Sequence, residues 1–249
     1  MDKKTNEPEL KIYYEPMVQP SFSKIIGYEA QAKLSEKGLG QIPQNLFFPI
    51  AEKAGLGLTL GKWLFEEICV LVNKIMNKGL EFEYISIAAL GSQLRKKSFP
   101  NDLKKIIEKT GAMPEKICFE INEDFFNLKL DATIDKVFEI KDAGFKVIIN
   151  NYSGAYLPLS KLNNVPIDAV KLAPSITDRV AIDEKAAEDI ASIIKQLKNL
   201  EIEVLAVSVE NREQQLSLME LHCQKMQGPL YGKPLGSREV LNPKQIESK

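Results

Sequence analysis

The sequence predicts an α/β protein of the (β/α)8 barrel class, with a TIM-like arrangement. About eight short runs rich in β-branched and aromatic residues are separated, over most of the chain, by segments with helical patterning. The length of 249 residues is typical of one such barrel. No linker rich in Pro, Gly or Ser divides the chain. We therefore expect one barrel domain at residues 10–240, with a disordered N-terminal tail at residues 1–9 and a C-terminal tail at residues 241–249.

The first predicted elements are two strands, at residues 11–18 and 25–32, joined by a turn that contains Pro and Ser. Such a hairpin makes the first strand antiparallel to the others. A short helix is predicted at residues 43–54. A long helix follows at residues 59–78, because its apolar side chains recur at steps of three and four residues.

From there strands and helices alternate, as expected for parallel strands joined by helices. The predicted strands lie at residues 84–88, 117–121, 145–152, 169–172 and 204–207, with a brief last strand near Met226. The predicted helices lie at residues 102–109, at 131–142, near Leu159, after an N-cap at Asp183, and at residues 212–221.

Composition excludes several classes of function. The net charge of −1 provides no field that would attract a nucleic acid polymer or an acidic membrane surface, and no apolar run is long enough to span a bilayer. The three cysteines form no C-x-x-C pair and His222 is the single histidine, which excludes a Cys/His zinc site and a Ser–His triad. Without a signal peptide, the chain is expected in a reducing cytoplasm.

The central strand at residues 145–152 carries two adjacent amides, Asn150 and Asn151, near its carboxyl end. One interpretation is turn chemistry, because asparagine hydrogen-bonds to nearby backbone and tolerates unusual dihedral angles. The other is a functional site, since the active sites of barrels lie at the carboxyl ends of the strands. The other polar residues at predicted strand exits are Glu29, Glu120, Lys171, Glu210 and Gln227.

Eight motifs in register carry a resemblance to the EAL domain of bacterial cyclic di-GMP phosphodiesterases, over about residues 14–234. Residues 28–33 stand where that family has E-A-L-L-R, and residues 48–56 resemble its I-P-x-A-E-x-x-G-L stretch. The remaining segments are 86–94 (S-V-N-L-S-x-x-Q-L), 120–123 (E-I-T-E), 150–159 (D-D-F-G-T-G-Y-S-S-L), 170–173 (K-I-D), 206–214 (A-E-G-V-E-x-x-x-Q) and 227–234 (Q-G-Y-x-x-x-x-P).

The resemblance implies metal-assisted hydrolysis, in which two Mg²⁺ or Mn²⁺ ions held by carboxylates and one asparagine activate water to attack a phosphodiester. Glu29 and Glu120 match two of the family's metal ligands. The asparagine ligand falls on Ala88, which has no donor atom. The paired aspartates fall on Asn150 and Asn151, which have the same shape but no charge.

Further positions of the family pattern are also altered. The aspartate of K-I-D falls on Ala173, and the glutamate expected to act as general base falls on Val207. The arginine of E-A-L-L-R is replaced by Lys33. The positions of Lys171, Glu210 and Gln227 are retained. We therefore expect no bound metal or other cofactor and no phosphodiesterase activity.

The expected function is that of an inactive EAL-type barrel that regulates a pathway by binding an unknown protein partner. A metal-free cyclic di-GMP receptor using Lys33 and Lys171 is an alternative, and a weak phosphodiesterase is a third. A purely structural interpretation pairs Glu29 and Glu120 with Lys171 under caps from the two asparagines. The family's dimer contacts involve the loop after the aspartate pair, here altered at residues 153–155 and with Pro158 added, so a dimer is left open.

Overall fold

The computed structural model describes residues 8–128 and 130–243. Of the two predicted tails, residues 1–7 and 244–249 lie outside these ranges. The first strand already begins at Glu9, and Leu241 packs against the core. The extent of the tails stays a prediction.

Nine strands form one sheet. They are β1 (Glu9–Gln19), β2 (Lys24–Glu36), β3 (Gly40–Pro43), β4 (Tyr84–Ala88), β5 (Ile117–Asn122), β6 (Lys146–Tyr152), β7 (Ala169–Leu172), β8 (Glu203–Ala206) and β9 (Lys225–Gln227). Their order is β1-β9-β8-β7-β6-β5-β4-β2-β3, and β1 also pairs with β2. This second pairing closes eight strands into a barrel, while β3 extends from β2 as an antiparallel ribbon.

The directions of the strands confirm the predicted fold class. The strands β2 and β4 to β9 run parallel to one another, whereas β1 is antiparallel to both β2 and β9. The opening hairpin of the sequence therefore supplies the one reversed strand of the barrel. All the parallel strands end at the same mouth.

Helices surround the barrel, and every predicted helix is present within a few residues of its expected bounds. They are α1 (Gln44–Lys53), α2 (Gly57–Asn77), α3 (Gly91–Arg95), α4 (Phe99–Thr110), α5 (Phe125–Leu128), α6 (Leu130–Asp142), α7 (Leu159–Leu162), α8 (Pro174–Thr177), α9 (Glu184–Asn199), α10 (Arg212–Glu220) and α11 (Ser237–Val240). Asp183 caps α9 as predicted, since its side chain accepts a hydrogen bond from the Ala186 N–H.

The hydrophobic core has two layers. The larger lies between sheet and helices and includes a cluster of aromatic rings around Phe119, whose centroid is 5.3 Å from that of Phe145. The smaller fills the barrel and is built from Met17, Ile148 and Leu205 among others. Among the helices within the described ranges, none is both long and apolar enough to cross a bilayer.

Candidate functional site at the carboxyl ends of the strands

A buried lysine between two glutamates forms the centre of this mouth. The Lys171 Nζ donates to Glu29 Oε2 at 2.6 Å and also to Glu120 Oε1. The lysine side chain and that of Glu120 are each 1% exposed, and that of Glu29 is 14% exposed. The three residues come from β7, β2 and β5, so the closure of the barrel brings them together.

Neighbouring polar groups complete this arrangement. The Ser86 Oγ donates to Glu120 Oε1, and the Gln227 Nε2 donates to Glu29 Oε2 at 2.7 Å. Gly228 follows Gln227 with φ 150°, and a Cβ there would lie 2.3 Å from the Val209 N. The position therefore requires glycine, which lets the chain pass close to residue 209 directly after the glutamine.

The charges of the three central groups are strongly coupled. Burial acts to lower the pKa of Lys171, but the charges and hydrogen bonds of Glu120 and Glu29 outweigh it, and the pKa is raised. Burial and the charge of Glu29 raise the pKa of Glu120. Burial opposes ionisation of Glu29 too, but Lys171 and the Gln227 hydrogen bond leave its pKa below the ordinary value. Glu29 is therefore the carboxylate most firmly held in its ionised form.

Glu15 is a neighbour of this site that sequence reasoning missed. It lies directly opposite Glu29 in the β1–β2 pairing, and its Oε2 accepts from the Gln31 Nε2 at 2.5 Å. Burial and then the charge of Glu29 raise the pKa of Glu15. The signal was available, because the predicted hairpin places one residue of its first strand opposite Glu29.

Three positions that carry polar groups in the resembled family are apolar at this mouth. Ala88 ends β4 and pairs in register with Glu120. Ala173 is buried directly after β7, where its N–H donates to the Tyr152 carbonyl at 2.9 Å. Val207 follows β8 and packs on the cluster inside the barrel. None of these side chains has an atom that can bind a cation or accept a proton.

The two asparagines do not cap the carboxylates, and that interpretation is wrong. The Asn150 Oδ1 accepts from the Asn151 N–H at 2.8 Å. Asn151 has φ 55° and is exposed. Asparagine adopts this left-handed conformation more readily than most residues, so the pair follows the turn chemistry that was one of the two interpretations. Ser86 and Gln227 make the contacts that had been expected of the asparagines.

The loop after β6 is held by one buried carboxylate, that of Glu123. Its Oε2 accepts from the Ser153 N–H at 2.7 Å and from the Ser153 Oγ at 2.8 Å. Its Oε1 accepts from the N–H groups of Tyr156 and Leu157, each at 3.1 Å. These bonds fix the altered loop against the end of β5 and give the mouth a rigid rim on this side.

Two further predicted site residues lie away from the central groups. Lys33 continues the face of β2 that carries Glu29, and its Nζ lies 5.0 Å from the centre of the Tyr13 ring. Glu210 is exposed, and only its backbone N–H makes a described hydrogen bond, to the Gln214 Oε1 at 2.8 Å. Neither side chain contacts Lys171, Glu29 or Glu120 through a described hydrogen bond or ion pair.

Comparison with known proteins identifies the family. The model of the EAL domain matches residues 2–234. The chain belongs to the EAL domain family. It is similar to the oxygen sensor protein DosP of Escherichia coli (strain K12), with 24% identity over 93% of this chain and 29% of that protein. It is also similar to the cyclic di-GMP phosphodiesterase NbdA of Pseudomonas aeruginosa, with 24% identity over 92% of this chain and 29% of that protein.

A solved structure supports the architecture of this EAL domain. The PaMucR phosphodiesterase, in a cyclic di-GMP complex, is 23% identical and superposes with a TM-score of 0.85. The match covers 93% of this chain and 94% of that one. This likeness concerns the fold. The chain spans less than a third of the length of DosP and NbdA.

The two divalent ions implied by the family do not fit the residues of this EAL domain. Glu29 and Glu120, the two retained carboxylates, are both bound to the ammonium group of Lys171. The alanines at positions 88 and 173 have no donor atom, and Mg²⁺ and Mn²⁺ require charged oxygen ligands. Within residues 8–128 and 130–243, no group of three or more His, Cys, Asp or Glu side chains is arranged to hold a metal.

Two acceptors near this mouth lack partners. The Gln227 Oε1 and the Asn122 Oδ1 are buried and accept no hydrogen bond from any described residue. Asn122 ends β5 in register with Asn150 of β6, two residues beyond Glu120. A buried acceptor without a donor is costly. The hydrogen bonding of this mouth is therefore incomplete at these two buried atoms.

Proposed function

We propose that this chain is an EAL domain without phosphodiesterase activity, which acts in cyclic di-GMP signalling as a regulatory protein by binding another protein. The observation that carries the proposal is that Ala88, Ala173 and Val207 lie at this mouth where the family has a metal ligand, an aspartate and the general base. None of these three side chains can bind a cation or accept a proton. The two glutamates that remain are both hydrogen-bonded to the Lys171 ammonium.

Electrostatics supports the same conclusion. A carboxylate about 4 Å from a unit positive charge attracts it by about 4 kcal/mol at an effective dielectric constant of roughly 20. Replacing the carboxylate with a neutral side chain removes this attraction, and the loss is larger for a divalent ion. Four acidic positions of the family are neutral here, at Asn150, Asn151, Ala173 and Val207. The neutral side chains at these four positions and the positive charge of the lysine disfavour the binding of two divalent ions. The attraction of the two remaining glutamates is too small to offset this loss.

The position of the family's general base has no proton acceptor. Val207, at the position of the family's base, cannot accept a proton. Glu29 is held in its ionised form by Lys171 and Gln227, and its lowered pKa makes it a weak base. Glu120 has a raised pKa, but its Oε1 already accepts hydrogens from Ser86 and Lys171. These three positions disfavour the weak-phosphodiesterase alternative.

A metal-free receptor for cyclic di-GMP is the second candidate. It is favoured by the similarity of this chain to the PaMucR phosphodiesterase, whose solved structure is a complex with cyclic di-GMP. Lys33 is the half-buried cation near the mouth that would face the phosphates, whereas Lys171 is 1% exposed and is held by the two glutamates. In this case Lys33→Ala weakens binding about ten- to hundredfold, because a charge-assisted contact is worth about 1.5–3 kcal/mol.

Hydrolysis of cyclic di-GMP in the presence of Mg²⁺ or Mn²⁺ tests the main proposal. We expect none from the unmodified protein, and none from Asn150→Asp alone, because residues of one catalytic group act as a unit. The matched control combines Ala88→Asn, Asn150→Asp, Asn151→Asp, Ala173→Asp and Val207→Glu, and this variant should gain turnover. Turnover by the unmodified protein that is lost in Glu29→Ala would overturn the proposal.

Calorimetric titration with cyclic di-GMP, with and without Mg²⁺, separates the two candidates. Heat of binding that is the same with and without Mg²⁺ supports the receptor. No heat and no shift of the melting temperature at millimolar ligand leaves binding of a protein as the function. Binding that appears only with Mg²⁺ would contradict the metal-free site.

A further inference from the structure

The outer edge of β1 is incompletely paired. On one side β1 pairs with β2 along its whole length. On the other side it pairs with β9 only at Met17 and Val18, and then with Leu235 through a two-way bridge at Tyr14, with both N···O distances 2.8 Å. Among the described residues, none pairs with this side of the strand before Tyr14.

The register shows which backbone groups face this open edge. Tyr14 directs its N–H and C=O outward to Leu235, and in an antiparallel strand every second residue does the same. Leu10 and Ile12 therefore also face outward. Ala32, the partner of Ile12 in β2, directs its N–H away from β1, to the Gln44 Oε1 at 2.9 Å, which agrees with this alternation.

A groove of about 580 Å³ runs along this edge. Its walls are residues 10–14 of β1 and the start of α11, and its floor is a stretch of α2 that includes Trp63, Val70 and Leu71. Val70 is 43% exposed and presents an apolar side chain to the groove. The volume is within the range of roughly 300–1,000 Å³ common for ligand clefts.

Unpaired charges line the ends of the groove. Lys11 is paired with Glu9 at 2.8 Å, and Glu239 accepts the Gly236 N–H at 2.7 Å. Lys74, Arg238, Glu67 and Glu239 form no ion pair with any other described residue. Two unpaired cations and two unpaired anions give the groove no net charge, so the backbone groups of β1 and the apolar floor, rather than charge, define its occupant.

We propose that this groove binds an extended peptide segment of a partner protein, which adds a strand to the edge of β1. Unpaired N–H and C=O groups at every second residue are the recognition element for an added strand, and no helix can satisfy them. Side chains alternate along a strand, so every second residue of the peptide contacts Trp63 and Val70. The peptide has apolar residues at alternate positions.

This inference rests on the part of the proposed function that assigns the chain a protein partner, and it names the surface involved. It is independent of cyclic di-GMP, since the groove and the Lys171 site are formed by different side chains. Hydrolysis of cyclic di-GMP would overturn the proposed function without altering any peptide-binding measurement. A failure of peptide binding would leave the absence of hydrolysis as it stands.

The experiment selects a displayed library of random eight-residue peptides on the purified full chain. Enriched peptides are then measured by fluorescence anisotropy against the wild type, Val70→Glu and the control Met76→Glu. Met76 is 37% exposed on the same helix but does not line the groove. We expect enriched peptides with alternating apolar residues, a loss of at least about tenfold in affinity for Val70→Glu, and less than about twofold for Met76→Glu.

Amide hydrogen exchange supplies a readout that is specific for strand addition. In the free protein the Ile12 amide should exchange quickly, and those of Lys11 and Tyr13 slowly, because they face β2. Bound peptide should slow exchange at Leu10 and Ile12 at least about tenfold. No enriched peptide, equal affinities for the two variants, or an unchanged Ile12 amide would overturn the inference. Self-association abolished by Val70→Glu would overturn it as well, since the occupant would be a second copy of this chain.

Discussion

The two ends of the barrel carry the same chemical arrangement in different surroundings. At the carboxyl ends of the strands Lys171 bridges Glu29 and Glu120, and at the amino ends Lys225 bridges Glu83 and Glu203 at 2.6 and 2.8 Å. The first lysine is 1% exposed and the second 13%. Glu83 and Glu203 are 43% and 49% exposed, so water solvates them.

Burial makes the two clusters differ in what they require. Around Lys171 water does not reach the carboxylate oxygens, so these oxygens need hydrogen-bond donors from the protein. Ser86 and Gln227 supply such donors in addition to Lys171. Around Lys225 the solvent does this. The comparison indicates that the buried cluster is a fixed unit, whereas the exposed one is a replaceable surface contact.

The largest expected effect is that of Lys171→Met. Removing the cation leaves Glu29 and Glu120 buried beside each other without a partner, and breaking a buried ion pair in this way costs about 3–5 kcal/mol. Urea denaturation of the two proteins measures it. The control adds Glu29→Gln and Glu120→Gln to the same variant and should recover much of the loss. A loss below about 1 kcal/mol would show that the buried cluster is not a unit.

The two glutamates should not be equivalent. Glu29→Gln removes the carboxylate that is held ionised, at a cost of about 1.5–3 kcal/mol for a charge-assisted hydrogen bond. Glu120→Gln should cost less, because burial and the charge of Glu29 already disfavour its ionised form. Unfolding free energies at neutral pH compare them directly. Equal losses would contradict the assignment of the firmer charge to Glu29.

Much of the fold follows from local sequence. The strands Tyr84–Ala88 and Ala169–Leu172 were predicted to the residue, because compact runs of β-branched and apolar residues are bounded by clear breaks. The strand Gly40–Pro43 and the helix Pro174–Thr177 were not predicted. Four residues give too little periodicity to recognise, and these elements depend on pairing with or packing on the rest of the chain.

The candidate site could be predicted only in part. The sequence resemblance brought Glu29, Glu120 and Lys171 together as candidates, but the contacts among them depend on barrel closure. Glu15 was missed because its relation to Glu29 is a matter of register across the hairpin. The asparagine caps were expected from the positions that the pair occupies in the family pattern. In the structure Asn151 has a left-handed conformation, and the Asn150 side chain accepts from its N–H instead.

Alkaline pH should reduce the contribution of the buried Lys171 to the stability of the protein. The folded protein keeps the Lys171 proton at pH values at which the unfolded chain, with a lysine pKa of about 10.4, has lost it. The contribution of Lys171 to the free energy of unfolding is therefore complete below that value and is lost as pH rises towards the raised folded pKa. The stability difference between wild type and Lys171→Met should shrink by about 1.4 kcal/mol per pH unit there. A difference that stays constant between about pH 9 and pH 11.5 would contradict this.

The smallest expected effect is that of Lys225→Met at the opposite mouth. Although the pKa of Lys225 is also raised by Glu203 and Glu83 against the opposing effect of burial, both partners keep water contact after the lysine is removed. The loss of stability should therefore be about 0–1 kcal/mol, as for exposed ion pairs. It should shrink further in about 0.5 M NaCl, because salt screens exposed charges, whereas the cost of Lys171→Met should hardly change. Urea denaturation at low and high salt measures both variants in parallel. A salt-independent loss of about 3 kcal/mol or more at Lys225 would mean that both mouths hold fixed units, and burial would no longer explain the difference between them.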